Sequence, residues 1–441
     1  MIVRPFRGVR YDPGKVGDLA RVVTQPYDKI PDALRDAYHE RHARNFARII
    51  RPKALPGDDA RENRYTRAAR TLADWLAEGV LVRDDAPAIY ACHQVCARPG
   101  GGEIRRKGFV AAAELEDFGL GGVRPHEATH AAPKADRLNL ARATGAHTEP
   151  IFMLYDEPAG LANRALDEAI AGRDPAVRVA DDFGCVHELW PVVDPAVIAR
   201  VAALLKNAPC LIADGHHRYE TALNLRDEMR AAGRRGHGAD SFENALITFV
   251  NLHDPGLLIY PTHRIVFDVP EERVARLLAD AAAFFDVERV PTREPDARTG
   301  FAARLAAAGT NTNAIGVRFT GEDAAYLLTL RDRASMDRLA GDRSAAWKSL
   351  DVAVLHVLLL ERLLGITPTD LEHERKVRYA RHVEEAVREV DEGRARLCFL
   401  LNPTRVDQVR DVALAGEKMP QKSTDFFPKL LSGLVLLRFD E

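Results

Sequence analysis

Asp214-Gly215-His216-His217-Arg218 places a carboxylate, two imidazoles and a guanidinium on consecutive residues around one glycine. Before them, Cys210–Ala213 is a short apolar run that reads as a buried strand. After them, Ala222, Leu225 and Met229 recur at helical spacing, with Glu220, Asp227, Glu228 and Arg230 on the other sides. The cluster therefore occupies a strand-to-helix turn. A helix N-terminus offers unbonded backbone N–H groups and the positive end of the helix dipole, so it receives anions such as phosphate. Gly215 allows a positive φ or a close backbone approach to a ligand. Each residue also has a plain structural reading. Asp214 suits an N-cap, Arg218 can pair with Glu220 or Glu228, and neighbouring imidazoles on a helix point in different directions. Five in a row at such a turn favour an anion site.

Three other stretches carry chemistry. Arg124-Pro125-His126-Glu127-Ala128-Thr129-His130 is a loop ahead of a helix, where the Glu127 carboxylate is free to serve a ligand. In the helix that follows, Lys134, Asp136 and Arg137 form a charge run, ordinarily a solvated face but also a candidate cofactor contact. Near the C-terminus, Gly416–Lys429 holds three lysines, with Lys418, Lys422, Ser423 and Thr424 close to Phe426 and Phe427. Ammonium and hydroxyl groups together can hold phosphate, as point charge plus donors. His263-Arg264, just after a strand, is a further polar pair, and His356 reads as a core histidine.

Two tempting motifs are rejected. Gly100–Gly102 is followed by no Lys-Ser/Thr and opens no helix, so it is not a phosphate loop. Cys92 and Cys96 share one strand face, but no second ligand pair stands near them, which argues against zinc.

The elements that must position these residues point to a mixed α/β chain. Ala88–Val95 and Gly108–Glu116 alternate about Arg98–Glu103 like a β-hairpin. Ala60–Glu78 has a helical stripe of Leu72, Trp75 and Leu76, and Leu350–Leu364 is an apolar helix closed by Gly365. Asn45–Ile50 reads as strand-like. At 441 residues the chain is too long for one core. With 46% hydrophobic and 29% charged residues it is globular, and a net charge of −3 gives no basic field for nucleic acid. No apolar run reaches the ~18 residues of a membrane span. The start lacks the apolar core of a signal peptide, and five cysteines argue against a disulfide framework, so a cytoplasmic location is expected.

The ordered motifs Arg-Pro-His-Glu-Ala-Thr, Pro-Lys-Ala-Asp-Arg-Leu, Glu-Pro-Ile-Phe-Met-Leu-Tyr, Ala-Asp-Gly-His-His-Arg-Tyr-Glu-Thr-Ala-Leu, Pro-Thr-His-Arg and Met-Pro-Gln-Lys-Ser-Thr resemble the domain-of-unknown-function 1015 family over nearly the whole chain. More distantly, Pro-His-Glu, a helix, a Glu-Pro-Ile strand and a strand–Asp-Gly-His-His-Arg–helix turn are similar to the ParB/sulfiredoxin-like superfamily, and within it to the free L-serine kinases. The resemblance implies an α/β (α+β) fold with a ParB/sulfiredoxin-like core at 108–265, a mixed region at 1–107 and a further α/β region at 266–441.

By that resemblance Glu127 is a general base toward a hydroxyl, and Asp214, Gly215, His216, His217 and Arg218 hold nucleotide phosphates. Asp214 would meet Mg²⁺ through the nucleotide, ATP or ADP. Lys134, Asp136, Arg137, Lys418, Lys422, Ser423 and Thr424 are further candidates to contact the cofactor. The expected activity is phosphoryl transfer to a small hydroxyl compound, with L-serine as the first candidate. The alternative is a non-catalytic nucleotide sensor or a ParB-like nucleotide-hydrolysing regulator. Partners are then small molecules, with neither membrane nor nucleic acid expected. Sulfiredoxin chemistry is not expected, because His216 stands where that reaction needs a cysteine. Departures from the pattern are the long N- and C-terminal regions and an insertion of about 55 residues between Tyr155 and Asp214.

Overall fold

The computed structural model describes residues 1–440 except 99, 100, 120, 121, 128, 130, 293 and 294, with backbone alone at 131, 132 and 295–299. Gly100, Ala128 and His130 of the motifs above thus lie outside the described residues. The fold is mixed α/β, as the sequence implies. The chain forms two compact units: Met1–Pro125, Thr129–Leu258 and Pro428–Glu441 make the first, and His126–Ala128 with Ile259–Phe427 the second.

The first unit is built on a nine-stranded mixed sheet. Its strands are β1 (Val3–Arg4), β2 (Ile89–Ala97), β3 (Glu103–Glu114), β4 (Val123–Arg124), β5 (Ile151–Tyr155), β6 (Val177–Ala180), β7 (Val186–Val192), β8 (Cys210–Asp214) and β9 (Asn244–Asn251). Across the sheet the order is β4–β8–β5–β9–β3–β2–β7–β6, with β1 also on β3. The expected hairpin is β2–β3, whose register sets Gln94 opposite Arg106. β3 runs unbroken through residues 107 and 108.

Both faces of this sheet are covered, which explains why β5 and β9 are buried at every position. On one face Phe109, Met153, Ile212 and Phe249 pack with Tyr219 and Ala222 of the helix after β8. On the other, Tyr90, Val110 and Leu246 pack with Phe6 near the N-terminus and Leu431 and Val435 near the C-terminus.

Two local expectations are corrected. Asn45–Ile50 yields no strand: Ala47–Ile50 is one helical turn, and Arg48 donates to the His39 carbonyl at 2.7 Å. The cysteines do include a disulfide, Cys96–Cys185. It joins the end of β2 to the residue before β7, partner strands that register alone brings together, so an odd cysteine count could not reveal it.

The second unit carries a six-stranded sheet of β10 (His263–Val266), β11 (Phe285–Pro291), β12 (Ala314–Phe319), β13 (Ala324–Leu330), β14 (Val377–Ala380) and β15 (Leu397–Leu401), in the order β11–β13–β12–β15–β10–β14. The expected apolar helix is present, α-helical over Asp351–Val354 and π-helical over Leu355–Leu364. It stops at Gly365, whose φ of 67° is left-handed. No helix of the described residues is long and apolar enough to cross a membrane.

Candidate functional site

The strand-to-helix turn stands where the sequence puts it. β8 ends at Asp214, Gly215 caps with φ 92°, and α1 (His216–Ala231) follows. An ideal Cβ on Gly215 would lie 2.9 Å from Arg218 Nε, so this position needs both the left-handed backbone and the missing side chain. Tyr219 anchors the first turn of α1, its hydroxyl donating to the Glu116 carbonyl at 2.8 Å.

A bulge aims Asp214. β8 pairs with β5 as Ile212 to Met153 and then Asp214 to Phe152, so Ala213 is the extra residue. One extra residue moves the following side chain to the opposite face. Ile212 and Met153 therefore point into the α1-side core, whereas Asp214 joins Phe152 on the face covered by the C-terminal segment.

There Asp214 meets two cations. Lys429 Nζ lies 3.2 Å from its Oδ2, and Arg218 Nη2 lies 3.6 Å from its Oδ1. Burial works to raise the Asp214 carboxyl, but Lys429, Arg218 and then Lys29 outweigh it and hold the group well below the usual carboxylate range. Arg218 turns inward: it donates to the Pro150 carbonyl, and its Nε has no partner among the described residues. His216 is buried and His217 half-buried, as the first two residues of α1.

The other candidates divide between the units. In the first, Lys134 and Thr129 both reach Glu220 of α1, at 2.8 and 2.7 Å. Asp136 receives Arg64 at 2.7 Å and the Tyr65 hydroxyl at 2.9 Å. Arg137 bonds Asp136 and Glu149 and covers the Tyr27 ring at 4.1 Å. These pairs tie the helix Ala131–Thr144 to its neighbours.

In the second unit, the lysine-hydroxyl tail meets the Pro-His-Glu loop. Lys422, at a left-handed φ of 55°, donates its backbone N–H to Glu127 Oε1 at 3.3 Å. Thr424 Oγ1 and His126 Nε2 are 3.0 Å apart, and Met419 N–H donates to the His126 carbonyl at 2.7 Å. Ser423 bonds the Pro420 carbonyl, and the Lys418 carbonyl accepts from Trp347 Nε1 at 3.1 Å. The buried Arg264 pins the tail by donating to the Gln421 and Lys422 carbonyls, both at 3.1 Å. His356 Nε2 lies 3.3 Å from the same guanidinium, so it belongs to this buried network.

Sequence reasoning singled out neither Lys429 nor Arg106. Lys429 closes the basic tail stretch, and its pairing with Asp214 spans more than two hundred residues, beyond any periodicity signal. Arg106 sits between the exposed Arg105 and the half-buried Lys107 in a run of three cations, and only strand alternation, which puts it on the face of Ile104 and Gly108, could have marked it.

Among the described residues no group of three or more His, Cys, Asp or Glu gathers to hold a metal. Asp214 alone suits a Mg²⁺ carried in on nucleotide phosphates, the common mode for that ion, rather than a protein-built cage. Two cations beside a glycine-opened helix N-terminus suit phosphate directly.

Residues 3–353 match the family described as "Protein of unknown function (DUF1015)". The chain belongs to this family. No curated protein matches it. Among solved structures it is similar to a conserved hypothetical protein from Pyrococcus furiosus, at 14% identity and a TM-score of 0.33, covering 72% of this chain and 90% of that one. It is also similar to a free serine kinase variant in complex with ADP, at 13% identity and a TM-score of 0.36, covering 72% and 87%. A third is SbnI with a C-terminal truncation from Staphylococcus aureus, at 12% identity and a TM-score of 0.35, covering 74% and 87%. Likeness this weak carries no functional weight, so the site is read from its own residues.

Proposed function

We propose that this chain is a nucleotide-dependent small-molecule kinase that transfers a phosphoryl group from ATP or ADP to a hydroxyl, with L-serine the first acceptor to try. The observation that carries the reading is the Asp214–Arg218 turn. A bulge re-aims the carboxylate, a left-handed glycine opens the helix, and Lys429 and Arg218 supply positive charge at the anion-receiving end. Phosphoryl transfer asks a protein for positioning and charge neutralisation rather than covalent chemistry, and such a turn supplies both.

In the step, the acceptor oxygen bonds the terminal phosphorus, and the bond from that phosphorus to the bridging oxygen breaks. The nucleotide leaves as ADP or AMP carrying the bridging oxygen. Glu127, by the sequence resemblance, takes the hydroxyl proton. Lys429, Arg218 and the first N–H groups of α1 bind and orient the phosphates, and His216 and His217 steady the transferring group as donors. Asp214 would hold a Mg²⁺ carried in on the nucleotide, which would supply charge neutralisation at the phosphates. Lys134, Asp136 and Arg137 brace the helix ahead of α1, and Lys418, Lys422, Ser423 and Thr424 belong to the tail loop that meets Glu127.

The test is mass-spectrometric detection of O-phosphoserine after incubation with L-serine, Mg²⁺ and either ATP or ADP. Glu127→Gln keeps size and hydrogen bonding, and turnover is expected to fall by about 10²–10⁴-fold with nucleotide binding retained. Unchanged turnover in that variant would remove Glu127 as the base. Nucleotide binding with no phosphorylated product from any small hydroxyl compound would favour the sensor reading instead.

A further inference from the structure

Arg106 is a charged side chain sealed inside the first unit, 1% exposed. Such a group normally finds a carboxylate, because a buried charge without one is costly. No carboxylate bonds Arg106 among the described residues. Its Nε and Nη2 both donate to Gln94 Oε1, the former at 2.9 Å, and its guanidinium lies over the Phe152 ring at 4.6 Å. Nη1 has no partner there. Burial pulls Arg106 down to about 9, with Cys92, Asp254 and Asp214 acting on it through space.

What this guanidinium does is orient an amide. With Gln94 Oε1 held by two N–H donors, Nε2 must face the other way. It bonds the Lys429 carbonyl at 2.8 Å and His187 Nδ1 at 3.1 Å. His187 is fixed in turn by Asp181 Oδ2, 3.0 Å from its Nε2. The Lys429 main chain is thus clamped from below by a buried polar row crossing β7, β2 and β3. Its ammonium reaches Asp214 from this clamped base. Phe152 closes the arrangement, since it carries the Arg106 guanidinium and is the register partner of Asp214.

We infer that Lys429 is a phosphate-binding residue of the Asp214 turn, and that Gln94 and Arg106 are positioning residues that act on the ligand only through it. The inference deepens the kinase reading and rests on it for the identity of the anion. When phosphate arrives, the Lys429 ammonium shares itself between Asp214 and the incoming oxygens. A long flexible lysine is poorly placed for this unless its backbone is fixed, because ordering its side chain already costs conformational entropy. The Gln94 amide supplies that fixation, and Arg106 prevents the amide from flipping.

A double-mutant cycle tests this on the full chain, by calorimetric titration with ADP and, separately, inorganic pyrophosphate. Lys429→Met is expected to weaken binding about 10- to 100-fold, the range for losing one charge-assisted contact. Gln94→Glu still accepts from Arg106, so the buried guanidinium keeps a partner, but it cannot donate to the Lys429 carbonyl. It is expected to weaken both ligands several-fold while remaining folded by circular dichroism. Arg106→Met, which removes the buried charge and leaves the Gln94 amide free to flip, serves as the second variant should Gln94→Glu prevent folding. The double variant Gln94→Glu/Lys429→Met is expected to bind no more weakly than Lys429→Met alone. Additive losses, or wild-type affinity in Gln94→Glu or Arg106→Met, would overturn the positioning role. Wild-type affinity in Lys429→Met would overturn the inference as a whole. If the natural chain binds pyrophosphate but neither ADP nor ATP, the kinase reading fails while the cycle still decides on Lys429. If it binds none of them, both fail.

Discussion

Asp214 and Asp351 show what burial does to a carboxylate with cations at its oxygens and with amides there instead. Asp214 is held ionised by Lys429 and Arg218 against the pull of burial. Asp351, at the start of the apolar helix of the second unit, has amide neighbours instead: Asn313 Nδ2 donates to it at 2.7 Å and Asn402 Nδ2 lies 3.5 Å away. Burial therefore prevails and pushes its carboxyl from 3.8 up to about 6. The sign of the pH effect follows. The folded value lies above the unfolded one, so the unfolded chain releases this proton first as pH rises. The stabilisation is full below about pH 4 and is lost as pH climbs through 6, a change on the order of 3 kcal/mol at ~1.36 kcal/mol per tenfold proton affinity. Urea unfolding at pH 4 and pH 7 checks it. Asp351→Asn is expected to gain on the natural chain by about that amount between the two, and parallel pH curves would contradict the assignment.

At the scale of the element, the turn is the unit that matters. Gly215→Ala places a Cβ against the Arg218 guanidinium and forces an L-residue into a left-handed backbone. The strain is expected to cost about 1–2 kcal/mol and to displace Arg218, so urea stability and ADP affinity should fall together. A variant that keeps both would show that the turn has slack. The turn itself was legible in the sequence, because apolar strand, glycine and periodic helix are local patterns. The bulge at Ala213 was not. Nothing in Cys-Leu-Ile-Ala-Asp distinguishes a straight strand from one that slips by a residue against Phe152, since that depends on a partner some sixty residues away. Asn45–Ile50 misled for another reason: six residues are too few to show a period clearly, and the buried Phe46, Ala47, Ile49 and Ile50 recur at the 3–4-residue spacing of a helical turn.

For the whole molecule, local patterns carry no signal for a segment that returns. The chain sends Pro428–Glu441 back to the first unit, where Leu431, Val435 and Leu437 join the core and Lys429 meets Asp214. The Cys96–Cys185 bridge was hidden in the same way, by strand pairing across 89 residues. Family membership was legible from motifs alone, and the strand–glycine–helix turn of Asp214, Gly215 and Arg218 from local pattern. The cation that completes the turn was not.

The most direct test of the central claim is calorimetric titration of the full-length protein with ADP and with ATP, each with Mg²⁺, repeated on Arg218→Ala. Saturable binding of one nucleotide per chain is expected, weakened at least about tenfold in the variant through loss of a charge-assisted contact. Absence of binding by the natural chain to either nucleotide up to about 1 mM, where affinity is only ~4 kcal/mol, would contradict the account.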